Sequence, residues 1–336
     1  MTKLNVNDIA LIAGVSNATV SRAFREPHKV SQKTRDKVMN AANNLGFTPS
    51  RLGASLKQGR TFNIVVLVPD ITNPYFSPVV RSMERTANLR GYSVLLGDTQ
   101  DTPEREQSYA KMVQSKQADG IIINSQRLPF DLNFNTTIPP LVSVSELVEN
   151  EDIYRVGVDN VAIGKLATSH LLELGHKRIA VISGTKNLQS CNDRLQGYKL
   201  ALQQANISYD PNLVYYAAYS PETGAQVAKQ LVTDFPDISA IFSFGDLMSI
   251  GILHMLSKLG FKVPQQISVI SVDNISQAPF CNPPLTTVAQ PMDQIGELSM
   301  TTLIDLIEKK APQNKLSLLP HFLVCRESTG PFIARK

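Results

Sequence analysis

The segment Asn7-Asp-Ile-Ala-Leu-Ile-Ala-Gly-Val-Ser-Asn-Ala-Thr-Val-Ser-Arg-Ala-Phe24 carries the most specific chemical pattern in the chain. Ile9, Ala10, Ala13, Val15 and Val20 are spaced to form one small core, and Gly14 permits a tight turn between two helices. The second helix would then point Asn17, Ala18, Ser21 and Arg22 outward from its N-terminal half. That half of a recognition helix reaches base edges in the major groove of DNA. Arg22 has the fork to pair with guanine, and Ala18 has a methyl group to meet that of thymine. Charge agrees with the pattern. Residues 1–60 hold ten bases against three acids, a net +7, which leaves −3 for the rest of a chain whose total is +4. A cationic head on a mildly anionic body suits a polyanion. A plain helical hairpin with a solvated basic face is the alternative.

A second group of residues suits small-molecule binding. Arg194 and Asp273 each offer two hydrogen-bonding arms, matched to hydroxyls or ring heteroatoms; the alternative is an ion pair between lobes with no ligand. Asp246 reads as a helix N-cap, and His176 as a turn residue after Gly175. Cys191 reads as passive lining, since nothing pairs it with a base. No glycine-rich phosphate loop is present, and no HExxH, CxxC or GxSxG motif. The five histidines form no catalytic set, and the three cysteines have neither metal-ligand nor disulfide spacing. The expectation is therefore no enzyme, no metal and no cofactor. Residues 1–8 do not read as a signal peptide and no apolar run is membrane-length, so the expected compartment is the cytoplasm and no membrane partner is expected.

These groups need elements to hold them. With 336 residues the chain should form two or three domains. Residues 1–47 read as an all-α helix-turn-helix headpiece: Val6, Ile9, Ala10 and Ala13 pattern a first helix, Ser16 caps a second, and Ser31 caps a third that carries Val38, Ala41, Ala42 and Leu45 and ends at Gly46. Residues 48–60 read as a hinge. From residue 61 strands and helices alternate. Strands are expected at Ile64–Val68, Ser93–Leu96, Gly120–Ile123, Leu141–Val144, Arg155–Val158, Arg178–Ile182, Val214–Tyr216, Ala240–Ser243 and Ile267–Val272. Helices are expected near Ser77–Arg90, Pro103–Lys116, Ala162–Leu174, Asp193–Ala205, Pro221–Asp234, Asp246–Leu259 and Met292–Lys310. Such alternation implies parallel sheets flanked by helices. There are too many strands for one compact sheet, so two α/β lobes are expected, about 61–158 plus 292–317 and 159–291 plus 318–336. Ligand would bind at the carboxyl ends of their strands.

Gly14-Val-Ser, Thr19-Val-Ser-Arg22, Val30-Ser and Gly46-Phe-Thr-Pro49 resemble the headpiece of the lactose/galactose repressor family, and the resemblance covers nearly the whole chain. It implies that Asn17 and Ala18 set the operator sequence, with Ser16, Thr19 and Ser21 on phosphates and Arg22, Lys29, Ser31 and Arg51 also at the DNA. Ser50-Arg-Leu-Gly-Ala-Ser-Leu-Lys57 is similar to the family's hinge helix, whose wedging leucine would be Leu56; Gly53 departs from it by disfavouring a helix. Asn73-Pro-Tyr-Phe76, Arg194-Leu-Gln-Gly-Tyr198 and Val272-Asp-Asn274 resemble the family's core, a two-lobed fold like that of periplasmic binding proteins. The implied effector contacts are Phe76, Ser190, Arg194, Tyr219 and Asp273. Ser125-Gln-Arg-Leu-Pro-Phe130 and Cys281-Asn-Pro-Pro-Leu-Thr-Thr287 are most like the cytidine-responsive branch, which implies a nucleoside effector and a homodimer on double-stranded operator DNA. Leu188 stands where purine sensors place an arginine. Val144-Ser-Glu146 stands where many sugar sensors place an aspartate. The rival readings are a solute-binding protein of a transport system and a regulator of this family that senses a sugar.

Overall fold

The computed structural model describes residues 5–47, 59–130, 138–312 and 314–333. Its contacts divide the chain into two compact units, Met1–Thr61 and Phe62–Lys336.

The small unit holds helices α1 (Val6–Ala13), α2 (Asn17–Arg25) and α3 (Gln32–Asn44). Each begins on a local cap. Asn5 forms a capping box with Asp8, its side chain taking the Asn7 N–H at 2.7 Å. Ser16 and Ser31 accept the N–H groups of Thr19 and Thr34 at 3.2 and 3.3 Å. Gly14 ends α1 at φ +65°, a left-handed conformation that glycine adopts without strain, so α2 begins three residues later. The core is built from Ile9, Val20 and Val38 with five alanines, Ala10, Ala13, Ala23, Ala41 and Ala42. Small side chains let the three helices approach closely.

The large unit contains two six-stranded sheets. The first has the order β11-β5-β4-β3-β1-β2 and is parallel throughout. Its strands are β1 (Asn63–Val68), β2 (Ser93–Asp98), β3 (Gly120–Ile123), β4 (Leu141–Val144), β5 (Tyr154–Val158) and β11 (Leu316–Leu319). Helices α4 (Phe76–Leu89), α5 (Pro103–Gln114) and α10 (Met292–Ile307) cover it. The second sheet has the order β12-β10-β9-β8-β6-β7. It comprises β6 (Ile179–Ser183), β7 (Val214–Tyr216), β8 (Ala240–Ser243), β9 (Ser268–Asp273), β10 (Thr286–Ala289) and β12 (Phe322–Val324). Among the described residues of this sheet, β12 alone pairs antiparallel. Its helices are α6 (Asn160–Glu173), α7 (Gln189–Gln204), α8 (Pro221–Asp234) and α9 (Asp246–Lys258). The chain therefore crosses between lobes three times, after β5, after β10 and at Pro320-His321.

Strands β1, β3 and β6 are buried along nearly their whole length, as continuous apolar runs in parallel sheets must be. The helices around them cross at glycines. A Cβ on Gly197 of α7 would fall 2.1 Å from the Val161 carbonyl oxygen of α6, and one on Gly251 of α9 would fall 1.7 Å from that of Pro221 in α8. Two differences from the sequence-based expectation stand out. Strands β10, β11 and β12 were not foreseen; they are three or four residues long and two of them are edges. Helix α7 begins at Gln189, four residues before the expected Asp193. Among the described residues no helix is long and apolar enough to cross a membrane.

Candidate functional site

In the small unit, α2 presents one open face. Its buried positions are Val20 and Ala23. Asn17, Ala18 and Arg22 are exposed, and Thr19 and Ser21 are half-buried beside them. The Ser16 hydroxyl caps α2 and also hydrogen-bonds the Thr19 hydroxyl at 2.9 Å. Ser31 and Thr34 repeat the arrangement at α3, also at 2.9 Å. Both helices thus offer an N-terminus with exposed serine oxygens, a setting that favours phosphate. Asn17 donates its side-chain amide to Asn7 of α1, which fixes the rotamer of a residue expected to read bases. Lys29 pairs with Glu26 at 3.0 Å on the surface, and this contact holds the Glu26 carboxyl below its usual range. Exposed pairs are weak and exchange readily. Arg51, Gly53 and Leu56 lie outside the described residues.

In the large unit, the turns after the strands of both sheets bring a second set together. Tyr219, in the turn between β7 and α8, lies against two glycines: a Cβ on Gly184 would be 2.5 Å from its ring, and one on Gly245 2.9 Å. Glycine at these two positions lets the ring approach the backbone this closely. The Tyr219 hydroxyl meets the Cys191 thiol at 3.2 Å. Arg194 is buried and held by two bonds: Nε donates to Asn160 Oδ1 at 2.9 Å and Nη1 to the Phe244 carbonyl at 2.5 Å. Asp273 ends β9 at φ +117°, a strained conformation for a residue with a side chain. Its Oδ1 accepts Gln290 Nε2–H at 2.8 Å. Burial pushes its pKa up to about 7; the Arg194 guanidinium works against that rise and the Asp246 carboxylate adds to it. Phe76 is buried at the start of α4, edge-on to Tyr75 at 5.1 Å. Ser190, in the first turn of α7, bonds Glu146 of the other lobe.

Two expectations are corrected. Asp246 does not cap a helix: Gly245 occupies the N-cap position of α9, and the wholly buried Asp246 carboxylate instead accepts the Ile275 N–H at 2.9 Å and the Thr287 hydroxyl at 2.7 Å. It ties the loop that follows β9 to strand β10, and burial raises its pKa to about 6. His176 is more than a turn residue. It is buried, with Nδ1 at 3.0 Å from the Ser239 hydroxyl and Nε2 at 3.0 Å from the Gly330 carbonyl, and so anchors the C-terminal segment.

Sequence reasoning also missed a hydrogen-bonded chain. Tyr75 donates to Gln290 Oε1 at 3.4 Å and meets Ser145 Oγ at 3.0 Å. Gln290 sits where the chain crosses between lobes, so Ser145, Tyr75, Gln290 and Asp273 form one line from the first lobe to the second. Gln290 lies in the Ala289-Gln-Pro291 segment, but no local pattern says what a lone glutamine will touch. Among the described residues no cluster of three or more His, Cys, Asp and Glu could hold a metal ion.

Comparison with known proteins places these features. Residues 5–50 match bacterial regulatory proteins of the lacI family, and residues 168–329 match a periplasmic binding protein-like domain. The chain is 38% identical to the HTH-type transcriptional repressor CytR of Escherichia coli (strain K12), over 98% of this chain and 97% of that one. It is 31% identical to the HTH-type transcriptional repressor PurR of Histophilus somni (strain 129Pt), over 96% and 98%. Among solved structures it is similar to the lac repressor dimer bound to operator and the anti-inducer ONPF, at a TM-score of 0.86 and 25% identity over 98% of this chain and 100% of that one.

Proposed function

The chain belongs to the lacI family of bacterial regulatory proteins and is a DNA-binding transcriptional repressor of that family; on that premise we propose that α2 reads the operator and that the two-lobed unit senses a nucleoside such as cytidine. The observation that carries the first part is the open face of α2, where Asn17, Ala18 and Arg22 stand exposed over a core closed by Val20 and Ala23. Arg22 and Asn17 would contact base edges. Ser16, Thr19, Ser21, Lys29 and Ser31 would contact phosphate, with Arg51 and Leu56 on the hinge. A homodimer would read two matched half-sites of a near-palindrome in the cytoplasm.

For the effector, the support is the Tyr219 ring, seated against Gly184 and Gly245 with its hydroxyl at the Cys191 thiol, together with the buried Arg194 and Asp273. A planar base suits the ring, and a ribose diol suits a carboxylate beside a guanidinium. Phe76, edge-on to Tyr75, would line the same pocket. CytR and PurR relatives are both repressors, and Leu188 in place of an arginine favours a pyrimidine over a purine. A thermal-shift screen of nucleosides, nucleobases and sugars tests this directly, because a ligand that binds the native state raises its melting temperature. Stabilisation by sugars and not by nucleosides would replace the nucleoside with a sugar.

A further inference from the structure

Helix α7 lacks an ordinary beginning. Its N-cap residue is Leu188, which has no oxygen to offer the first N–H groups of the helix. The acceptor comes from the opposite lobe. Glu146, in the turn after β4, accepts the Ser190 N–H at 3.3 Å through Oε2 and the Ser190 hydroxyl through Oε1. Gln126, after β3, donates to the same Oε2 at 3.3 Å and to the Asn187 carbonyl at 3.0 Å. A carboxylate and an amide of the first lobe thus close on the start of a helix of the second, at the hydroxyl end of Tyr219.

We propose that Glu146 is a positioning residue that caps α7 across the cleft, so that lobe closure and ordering of the ligand-binding turn of α7 are a single event. The proposal rests on the reading of this cleft as the effector site. An anion at a helix N-terminus is favourable through both the free N–H groups and the helix dipole. Here that favourable contact exists only while the lobes are together. A relative movement of a few ångströms breaks both Glu146 bonds and leaves Gln189, Ser190 and Cys191 uncapped, and an uncapped first turn frays. Ser190 and Cys191 lie in that turn, and Arg194 follows one turn later. Gln126 adds a second tie, since it grips the Asn187 carbonyl just before the helix. Ligand bound in the cleft therefore meets an ordered α7 only in the closed form, and Glu146 raises the fraction of protein in that form.

The test uses the full-length protein and hydrogen exchange resolved over residues 185–195. Glu146→Ala is expected to speed exchange at Ser190 and Cys191 by about fivefold, the usual worth of a cap, while α9 and β9 keep their protection. Glu146→Gln, which retains an acceptor, is expected to restore part of the protection. Ser190→Ala in the Glu146→Ala background is expected to add less than it does alone, because the two side chains share one bond. The dissociation constant for cytidine is expected to rise about fivefold in Glu146→Ala, in proportion to the lost closed population. Unchanged exchange at 189–192, or faster exchange spread evenly over the second lobe, overturns the proposal. If the unsubstituted protein does not bind cytidine, the nucleoside reading fails, and the exchange measurements still decide the cap.

Discussion

Asp273→Asn isolates the electrostatic strain in the effector cleft. The carboxyl is buried, its ordinary pKa of 3.8 is pushed to about 7, and its Oδ1 accepts from Gln290. Asparagine keeps an oxygen for Gln290 and removes the charge. An acid whose folded-state pKa is raised contributes stability that is fully present below its unfolded value and lost as pH rises through its folded value. Between pH 4 and 7 the unsubstituted protein should therefore lose up to ~1.4 kcal/mol per pH unit from this group, with a ceiling of ~4 kcal/mol. Asp246, raised to about 6 mainly by burial, acts in the same direction over a narrower window. His170, His176 and His321 act oppositely, since burial holds their pKa values below 6.5 and their stability is present above that value and lost as pH falls. The difference between variant and parent removes the histidines from the comparison. Urea unfolding of both proteins across pH 4.5–7.5 should show the difference moving in the variant's favour by at least ~2 kcal/mol as pH rises. Parallel curves would refute the reasoning, because they would mean that the Asp273 carboxyl ionises as freely in the folded protein as in the unfolded one.

Arg22→Ala should weaken binding to a selected operator by about 1–3 kcal/mol and binding to random DNA by much less; equal losses on both would reduce Arg22 to a phosphate contact. Gly251→Ala places a Cβ where the Pro221 carbonyl now sits and should lower stability by about 1–3 kcal/mol through overpacking of α8 on α9; a melting temperature unchanged from the parent would contradict the close crossing. Gly53→Ala, read from sequence alone, should tighten operator binding by ~1 kcal/mol for each hinge, whereas Leu56→Ala should weaken it. Operator titrations at fixed salt, with and without effector, would show whether the two changes go in opposite directions.

The headpiece was legible because its signals are local. Gly14, Ser16 and Ser31 start and stop helices through contacts three or four residues away, and those contacts are visible in the order of the residues. The parallel sheets were legible for a similar reason, since buried strands such as Ile64–Val68 must be apolar along their whole length. Arg194, Tyr219 and Asp273 could be singled out by type and by their positions after strands. The surroundings of these residues could not. Gln290 reaches Asp273 only because a chain crossing passes beside β9, and Tyr219 packs where it does only because Gly184 and Gly245, 35 and 26 residues away in sequence, leave it room. Helix α7 makes the distinction most clearly. Its sequence suggested a start near Asp193, yet the helix begins at Gln189, after a Leu188 that offers no cap, on a carboxylate supplied by Glu146. A local cap belongs to the sequence pattern. A cap from 44 residues away exists only once both lobes have folded and met.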